Sequence, residues 1–251
     1  MPMKLSRTIT ILTAIASGLY APAQTTTDSL VIDGQHYISW DTSDTIPLLP
    51  AGPESRLSER DYAEVAEELG VETAAIKAVV DIEAGKGHKG FWSEGKPIIN
   101  FDLSMYRQAA RRAGVDLTKA HRQHPVIFSR PNIRRYGSQQ AAQQARLDAA
   151  MSIDRRSAIE GTFWGMFQIG GFNWRKCGAE SIEGFVEQMA SSERGQLELF
   201  AEFLKSTGLD KHLRSKNWRA FARGYNGPGY ARRGYHTRLA KAYARHKSKE
   251  D

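Results

Sequence analysis

Cysteine is nearly absent from this 251-residue chain, and its one cysteine, Cys177, has no partner for an internal disulfide. Stability therefore has to come from a packed core, which a chain of this length can hold in one domain of about 150–200 residues. Cys177 has Lys176 and Gly178 as neighbours and no histidine close to it in sequence. The expected role of Cys177 is a small packed side chain rather than a nucleophile.

The sequence motifs of two hydrolase classes are missing as well. No His-Glu-x-x-His sequence occurs, and the pair His121 and His124 is followed directly by Pro125, which argues against a metal-dependent amidase or peptidase. We expect these histidines to lie on a surface loop, and we expect no metal and no other cofactor. No Gly-x-Ser-x-Gly elbow occurs either, which argues against a serine hydrolase.

Long hydrophobic runs are also lacking, apart from a short one near the start of the chain. Residues 9–19 are apolar, follow Lys4 and Arg7, and precede the small-residue sequence Ala21-Pro22-Ala23. This order predicts a cleaved secretory signal over residues 1–23, with export to the periplasm or the extracellular space. An uncleaved membrane anchor is the alternative, although the run is shorter than the roughly 20 residues of a spanning helix. After cleavage we expect no stable membrane insertion.

What the chain does have is an excess of positive charge. Its formal net charge is +7 and its pI is about 9.5. Such a balance favours an anionic partner, either nucleic acid, a lipid surface or an acidic wall polymer. The paired arginines are dispersed rather than clustered, and export removes the usual nucleic-acid partner, so we expect none. We expect the charge to concentrate a monomeric protein on phosphate- or carboxylate-bearing polymers of the cell envelope.

Composition divides the chain into an extension and a compact domain. Residues 24–57 are rich in Thr, Ser, Asp, Gly and Pro, with a hairpin predicted around Asp33-Gly34 and an extended linker at 46–53. A capping-box-like start at Ser58 opens the domain, which we expect to span 58–246 before a charged tail at 247–251. The fold class predicted is mainly α with a small β-hairpin, an α+β domain. The hairpin is predicted within 91–101, with Glu94 as a solvated turn residue.

Helical periodicity accounts for most of the domain. The predicted helices cover residues 58–69, 72–84, 103–113, 138–151, 155–161, 181–191, 193–206, 209–214, 217–224 and 236–246.

Two acids close the second predicted helix, and periodicity separates them. Glu83 follows Ile76, Val79 and Val80 at helical spacing, so it points where the apolar stripe points, whereas Asp81 faces outward or sideways. Burial and the negative end of the helix both raise the pKa of Glu83, as a general acid requires. The alternative is a structural Glu83 bonded to a nearby lysine or a backbone amide.

Four sequence blocks, in order, carry a resemblance to a known family. They are Asp-Ile-Glu-Ala-Gly at 81–85, the hairpin region at 90–102, Thr-Phe-Trp-Gly-Met-Phe-Gln-Ile-Gly-Gly-Phe-Asn at 162–173, and Phe-Ala-Arg-Gly-Tyr-Asn-Gly-Pro-Gly-Tyr at 221–230. Over about 58–246 the chain resembles the N-acetylmuramidase family of phage endolysins and bacterial cell-wall hydrolases, within the lysozyme-like superfamily. The resemblance implies cleavage of the β-1,4 bond between N-acetylmuramic acid and N-acetylglucosamine in peptidoglycan glycan strands.

The resemblance also implies roles for individual residues. Glu83 matches the general acid at a helix end before a hairpin, and Asp102 matches a second catalytic carboxylate, although family members usually carry Glu there. Asp102 activates water, stabilises charge on the sugar ring, or only caps the next helix. The residues expected to bind or flank the glycan are Gln168, Trp164, Phe167, Tyr225, Asn226 and Tyr230, with a structural role in the core as the alternative for most of them.

Two other functions stay open at this point. A lytic transglycosylase shares the lysozyme-like frame and would use Glu83 alone, without a second carboxylate. A non-catalytic protein that binds the cell wall would need only the basic surface. The masses of the products released from peptidoglycan distinguish these cases, because hydrolysis adds water and transglycosylation does not.

Overall fold

The computed structural model describes residues 56–84 and 89–249, together with the backbone of two strands nearer the start. Those strands, β1 (Ser29–Ile32) and β2 (Gln35–Ile38), pair antiparallel in a unit spanning Met1–Pro47, separate from the unit Leu48–Asp251. The strands agree with the predicted hairpin, whose turn at Asp33-Gly34 lies outside the described residues. The predicted signal sequence, the linker at 46–53 and the last two residues of the tail also lie outside them.

The larger unit is mostly helical, as predicted. Helix α1 (Glu59–Leu69) begins with a capping box in which Ser58 and Asp61 exchange hydrogen bonds, and it ends at Gly70, whose φ is +63°. The helices that follow are α2 (Thr73–Glu83), α3 (Leu103–Arg112), α4 (Ala120–Gln123), α5 (Pro125–Phe128), α6 (Ile133–Tyr136), α7 (Gln139–Met151), α8 (Arg155–Glu160), α9 (Ile182–Ser191), α10 (Glu193–Thr207), α11 (Asp210–Arg214), α12 (Trp218–Asn226) and α13 (Tyr235–Lys247).

The main difference between the structure and the prediction is a set of short helices that the sequence pattern does not indicate. Helices α4, α5 and α6 have four residues each, in a region where the sequence pattern predicts no helix. Two 3-10 helices, Gly171–Cys177 and Pro228–Tyr230, are likewise not predicted. A single helical turn carries too few apolar positions for a 3.6-residue period to be visible. Within the described residues, no helix has both the length and the apolar character to cross a membrane.

Short antiparallel strands connect the helical parts. Strands β3 (Phe91–Ser93) and β4 (Lys96–Pro97) form the predicted hairpin around Glu94. Strand β5 (Ile99–Phe101) then pairs with β6 (Thr162–Trp164), which pairs with β7 (Ile169–Gly170) in a second sheet. The predicted hairpin over 91–101 is therefore wrong in its last strand. Ile99 and Phe101 are 1% and 2% exposed, so their backbone needs a partner inside the domain, which β6 supplies.

The core gathers apolar faces from helices that are far apart in sequence. The ring of Phe167, in the β6–β7 turn, stacks on Phe200 of α10 with centroids 4.2 Å apart. Cys177 is buried in the core, and burial raises the pKa of its thiol to about 12. A protonated, enclosed thiol agrees with the packed role expected from its sequence context.

Candidate active site

Glu83 is the last residue of α2 and lies next to the core. The preceding residues on its helix face, Ile76, Val79 and Val80, are at most 1% exposed, whereas Glu83 itself is half-buried at the helix end. Desolvation by this burial raises the pKa of Glu83. A hydrogen bond from Asn226 and the positive charge of Arg238 oppose the rise without cancelling it. The carboxyl of Glu83 therefore keeps its proton to a higher pH than an ordinary carboxyl group does.

Asn226 holds the carboxyl of Glu83 from the far end of the chain. Its Nδ2 donates to Glu83 Oε1 at 2.9 Å. Asn226 ends α12 at Gly227, whose φ of +74° lets the backbone turn sharply after the amide. Its Oδ1 is buried and accepts no hydrogen bond from the described residues. Asn226 is expected from sequence to face a sugar; the structure shows its Nδ2 on Glu83, and a contact with the glycan stays a prediction.

Asp81, two residues earlier, belongs to a different contact. Arg245 Nη2 donates to Asp81 Oδ2 at 2.5 Å, and His246 Nε2 lies 2.8 Å from the same oxygen. Both partners are on α13, so Asp81 ties the two helices together. The apolar spacing of α2 predicts that its two acids lie on different sides of the helix, and their different partners agree with this prediction.

Asp102 is the N-cap of α3. Its Oδ1 accepts from Met105 N at 2.9 Å, and its own backbone N–H donates to Gly161 O at 2.9 Å across the β5–β6 sheet. No hydrogen bond joins Asp102 to Glu83 within the part of the chain described. The bond that the structure shows for Asp102 is thus the capping bond, one of the roles expected from sequence.

Gln168 closes the turn between β6 and β7. Its φ is +49°, a left-handed conformation that is uncommon outside glycine, and its Nε2 donates to Gly165 O at 2.9 Å. Gly165 has a φ of +69°, and a Cβ there would stand 2.7 Å from Gln196 Oε1. The side-chain amide therefore stabilises a tight turn that leaves Gln168 half-buried.

The aromatic residues expected near the glycan divide into buried and partly exposed ones. Trp164 is 4% exposed and donates its Nε1 to Ile159 O, while Phe167 is 0% exposed. Both rings lie in the core, which is the structural alternative given for them from sequence, and a contact with the glycan stays a prediction. Tyr225 donates its hydroxyl to Phe167 O at 2.6 Å, and burial raises the pKa of this phenol well above its ordinary value. Tyr225 therefore positions the turn that carries Phe167.

Tyr230 is half-buried and lies close to the helix that carries Arg238. Its ring meets His236 edge-on, with the ring centroids 5.5 Å apart. The guanidinium of Arg238 lies 5.4 Å from the centroid of the Tyr235 ring. The positive charge of Arg238, among these groups at the start of α13, also acts on Glu83. They form a candidate surface for sugar rings beside the acid.

Two buried polar residues that sequence reasoning missed fix the strands after Glu83. Gln196 is 0% exposed; it accepts from Met166 N at 2.8 Å and donates to Gly90 O and Met189 O. Glu193 Oε1 accepts from Gly90 N at 2.8 Å. A Cβ on Gly90 would lie 2.6 Å from Gln196 Oε1, so only glycine fits. The sequence signal that could have identified Gln196 is the position of this glutamine beside Leu197, on the apolar face of α10.

Comparisons with known proteins agree with this geometry. The family model described as "Muramidase: N-acetylmuramidase" matches residues 72–247. The crystal structure of the Burkholderia AP3 phage endolysin is similar to this chain at 34% sequence identity and a TM-score of 0.66, covering 78% of this chain and 73% of that one. A search among curated proteins finds no match.

The fold is of the lysozyme-like α+β type, and the chain is a peptidoglycan hydrolase of the glycosidase kind. Within that class it belongs to the N-acetylmuramidase family.

Proposed function

We propose that this protein hydrolyses the β-1,4 bond between N-acetylmuramic acid and N-acetylglucosamine, with Glu83 as the general acid. The observation that carries the proposal is the environment of Glu83, a half-buried carboxyl at a helix end, held by the Asn226 amide and with a pKa raised by burial. The family match over 72–247 supports the substrate class.

Glu83 donates its proton to the glycosidic oxygen as the bond to the anomeric carbon breaks. Positive charge then develops on the sugar ring in an oxocarbenium-like transition state. Water adds to the anomeric carbon and releases one proton, so that a protonated carboxyl is restored for the next cycle. Asn226 and Arg238 favour the carboxylate left behind after proton transfer, since both act to lower the pKa of Glu83.

A second carboxylate is not required for this role of Glu83. Asp102 was expected as that carboxylate, and its Oδ1 is engaged by Met105 N. We therefore propose that Asp102 acts as a positioning residue that fixes α3 beside the β5–β6 sheet. Activation of water by Asp102 is the competing role, and a substitution that keeps the cap separates the two.

Saccharide rings are proposed to lie against the half-buried surface around Tyr230 and Tyr235. Arg238 supports the choice of this surface, because its guanidinium lies beside the Tyr235 ring and its charge also acts on Glu83. Aromatic faces bind the apolar faces of sugar rings, and the arginine offers donors to hydroxyl or carbonyl oxygens. Gln168 and Tyr225 support the site through the turn that they hold, rather than by contact with the glycan.

Action on peptidoglycan requires access to the cell wall, so we propose that the protein is exported. The predicted signal over residues 1–23 supports export, and the basic surface would favour the anionic envelope outside.

Purified protein acting on defined peptidoglycan tests the activity. The released muropeptides are reduced with borohydride and weighed by mass spectrometry. Hydrolysis by a muramidase predicts N-acetylmuramic acid at the reduced end and products heavier by one water per cut. Products with an anhydro ring and no added water would establish a lytic transglycosylase instead. Soluble products absent from wild type and Glu83→Gln alike would leave only a binding function.

A further inference from the structure

A basic segment on the surface is distinct from the residues around Glu83. Residues 114–137, here called the cationic cap, comprise α4, α5, α6 and their connecting loops. The cap carries five cationic residues, Lys119, Arg122, Arg130, Arg134 and Arg135, against the single acid Asp116. Its net charge is therefore +4, compared with +7 for the whole chain. Residues 210–249 are more basic still, with twelve lysine or arginine residues against Asp210, so the cavity and the exposed apolar side chain described below, rather than charge alone, distinguish the cap.

The four arginines of the cap have no carboxylate partner among the described residues, whereas Lys119 lies near Asp116 and helps to lower its pKa. None of the cap's lysine or arginine residues forms a salt bridge with a residue that the structure describes. Two arginines outside the cap, Arg112 and Arg156, do form salt bridges, both with Glu160, at 3.2 and 3.3 Å. Arginine side chains without carboxylate partners are stabilised either by water or by an anionic ligand.

A cavity of about 320 Å³ opens between α5, α6 and α7 within this basic surface. Its lining includes His124, Arg130, Arg135 and Arg146 but no carboxylate. Arg146 is 7% exposed and donates to Phe101 O and Ile127 O, at 3.1 Å each, and it forms no salt bridge with a residue in the described part of the chain. The chemistry that fits such a cavity is an anion with several acceptor oxygens, such as a phosphate.

The outer surface of the cap adds an apolar element beside the charges. Ile133 on α6 is 52% exposed, more than any other large apolar side chain in the described part of the chain. Arg134 and Arg135 follow it directly, and the Arg135 guanidinium lies 5.4 Å from the Tyr136 ring centroid. An aliphatic side chain next to arginines and a tyrosine is typical of protein surfaces that lie on a lipid headgroup layer.

We propose that the cationic cap binds an anionic phospholipid surface, with a headgroup phosphate in the cavity at Arg130 and Arg135 and with Ile133 in contact with the acyl boundary. An acidic wall polymer would match the charge equally well, but it would give the exposed Ile133 no apolar environment. Binding is peripheral and reversible, since four-residue helices cannot span a bilayer. Such contact would hold the hydrolase beside the membrane while its active site works on the wall.

Vesicle sedimentation tests the proposal, with vesicles of phosphatidylcholine alone or with about one third phosphatidylglycerol. We expect binding only to the anionic vesicles, and weaker binding as salt rises. The triple variant Arg130→Gln, Arg134→Gln, Arg135→Gln should bind roughly 100-fold more weakly, at about fivefold for each charge removed. The matched control Arg219→Gln, Arg232→Gln, Arg233→Gln removes the same charge from exposed positions outside the cap and should lose far less.

Ile133→Ser keeps all charges and should weaken vesicle binding about fivefold. Equal losses in the triple variant and its control would overturn the proposal, because binding would then follow net charge alone. Wild type that binds soluble polyphosphate but not anionic vesicles would also overturn it, in favour of a polymer ligand. Vesicle binding needs no catalysis, so its result is independent of the proposed activity. Unchanged hydrolysis of lipid-free peptidoglycan by the triple variant would show that the fold and active site are intact.

Discussion

The side-chain amide of Asn226 donates to the carboxylate oxygen of Glu83 across 143 positions of sequence, at 2.9 Å. This bond connects the end of α12 to the end of α2. It also leaves Asn226 Oδ1 buried without a partner among the described residues, so the amide keeps one acceptor for a ligand or a water. The orientation of the proposed acid therefore depends on a residue from the last quarter of the chain.

Asn226→Ala removes the donor while leaving Glu83 in place. Because the hydrogen bond lowers the pKa of Glu83, its loss should raise that pKa and move the alkaline limb of the pH–rate profile to higher pH. Loss of orientation should reduce the maximal rate of peptidoglycan hydrolysis by about 10–100-fold. Asn132→Ala, at an exposed helix start far along the chain from both residues, should keep the wild-type profile. A lower rate with no shift of the limb would contradict the direct bond.

Asp102 can be tested with two substitutions that separate capping from catalysis. Asn is as good an N-cap as Asp, so Asp102→Asn should keep the stability and most of the activity, whereas Asp102→Ala should lower the unfolding free energy by about 1 kcal/mol. Urea denaturation and hydrolysis rates measure the two effects. If Asp102→Asn were stable but nearly inactive, the carboxylate would have a chemical role and our assignment would be wrong.

The raised pKa of Glu83 also predicts how stability changes with pH. A carboxyl whose pKa is higher in the folded state stabilises the fold below its unfolded pKa, and this stabilisation is lost as pH rises through the folded pKa. Glu83→Gln has no charge to bury and keeps an acceptor for Asn226. The variant should therefore become more stable than wild type as pH increases, and the two should converge in acid. Thermal unfolding across pH measures the difference, and a constant difference at every pH would argue against a raised pKa.

Gln196 carries a stability prediction of its own. Gln196→Met preserves most of the volume but leaves Met166 N, Gly90 O and Met189 O without their partner. Three buried backbone groups without hydrogen bonds should cost about 3 kcal/mol or more of unfolding free energy. Gln188→Met, on a half-buried position of α9, is the matched control and should cost less than about 1 kcal/mol. Similar values for the two variants would mean that the buried bonds contribute little.

Most helices can be predicted from the sequence because caps and periodicity act locally. Ser58 begins α1 and Gly70 ends it, and the apolar spacing before Glu83 already separated that residue from Asp81. Helices α4 to α6 were not predicted because each is a single turn, for which no period exists. Strand β5 was assigned to the wrong sheet because its partner, β6, lies about 60 residues further along the chain.

The polar contacts of the site were harder to predict. Gln196 bonds to groups 30 and 106 residues away, and no local pattern marks such partners. Asn226 and Tyr225 were identified as site residues from the Tyr-Asn-Gly block, but their partners, Glu83 and the Phe167 carbonyl, depend on how α12 packs. Residue types near a site can therefore be predicted from sequence, whereas the direction of each side chain requires the fold.

The most direct test of the account is the initial rate of muropeptide release by wild type, Glu83→Gln and Asp81→Asn, measured in parallel on the same peptidoglycan. Both substitutions neutralise an acid of α2, but only Glu83 is proposed to donate a proton. We expect Glu83→Gln to lose at least about 100-fold in rate, the usual scale for a general acid, and Asp81→Asn to stay within a few-fold of wild type. Comparable rates for wild type and Glu83→Gln, with both proteins folded, would contradict the central claim.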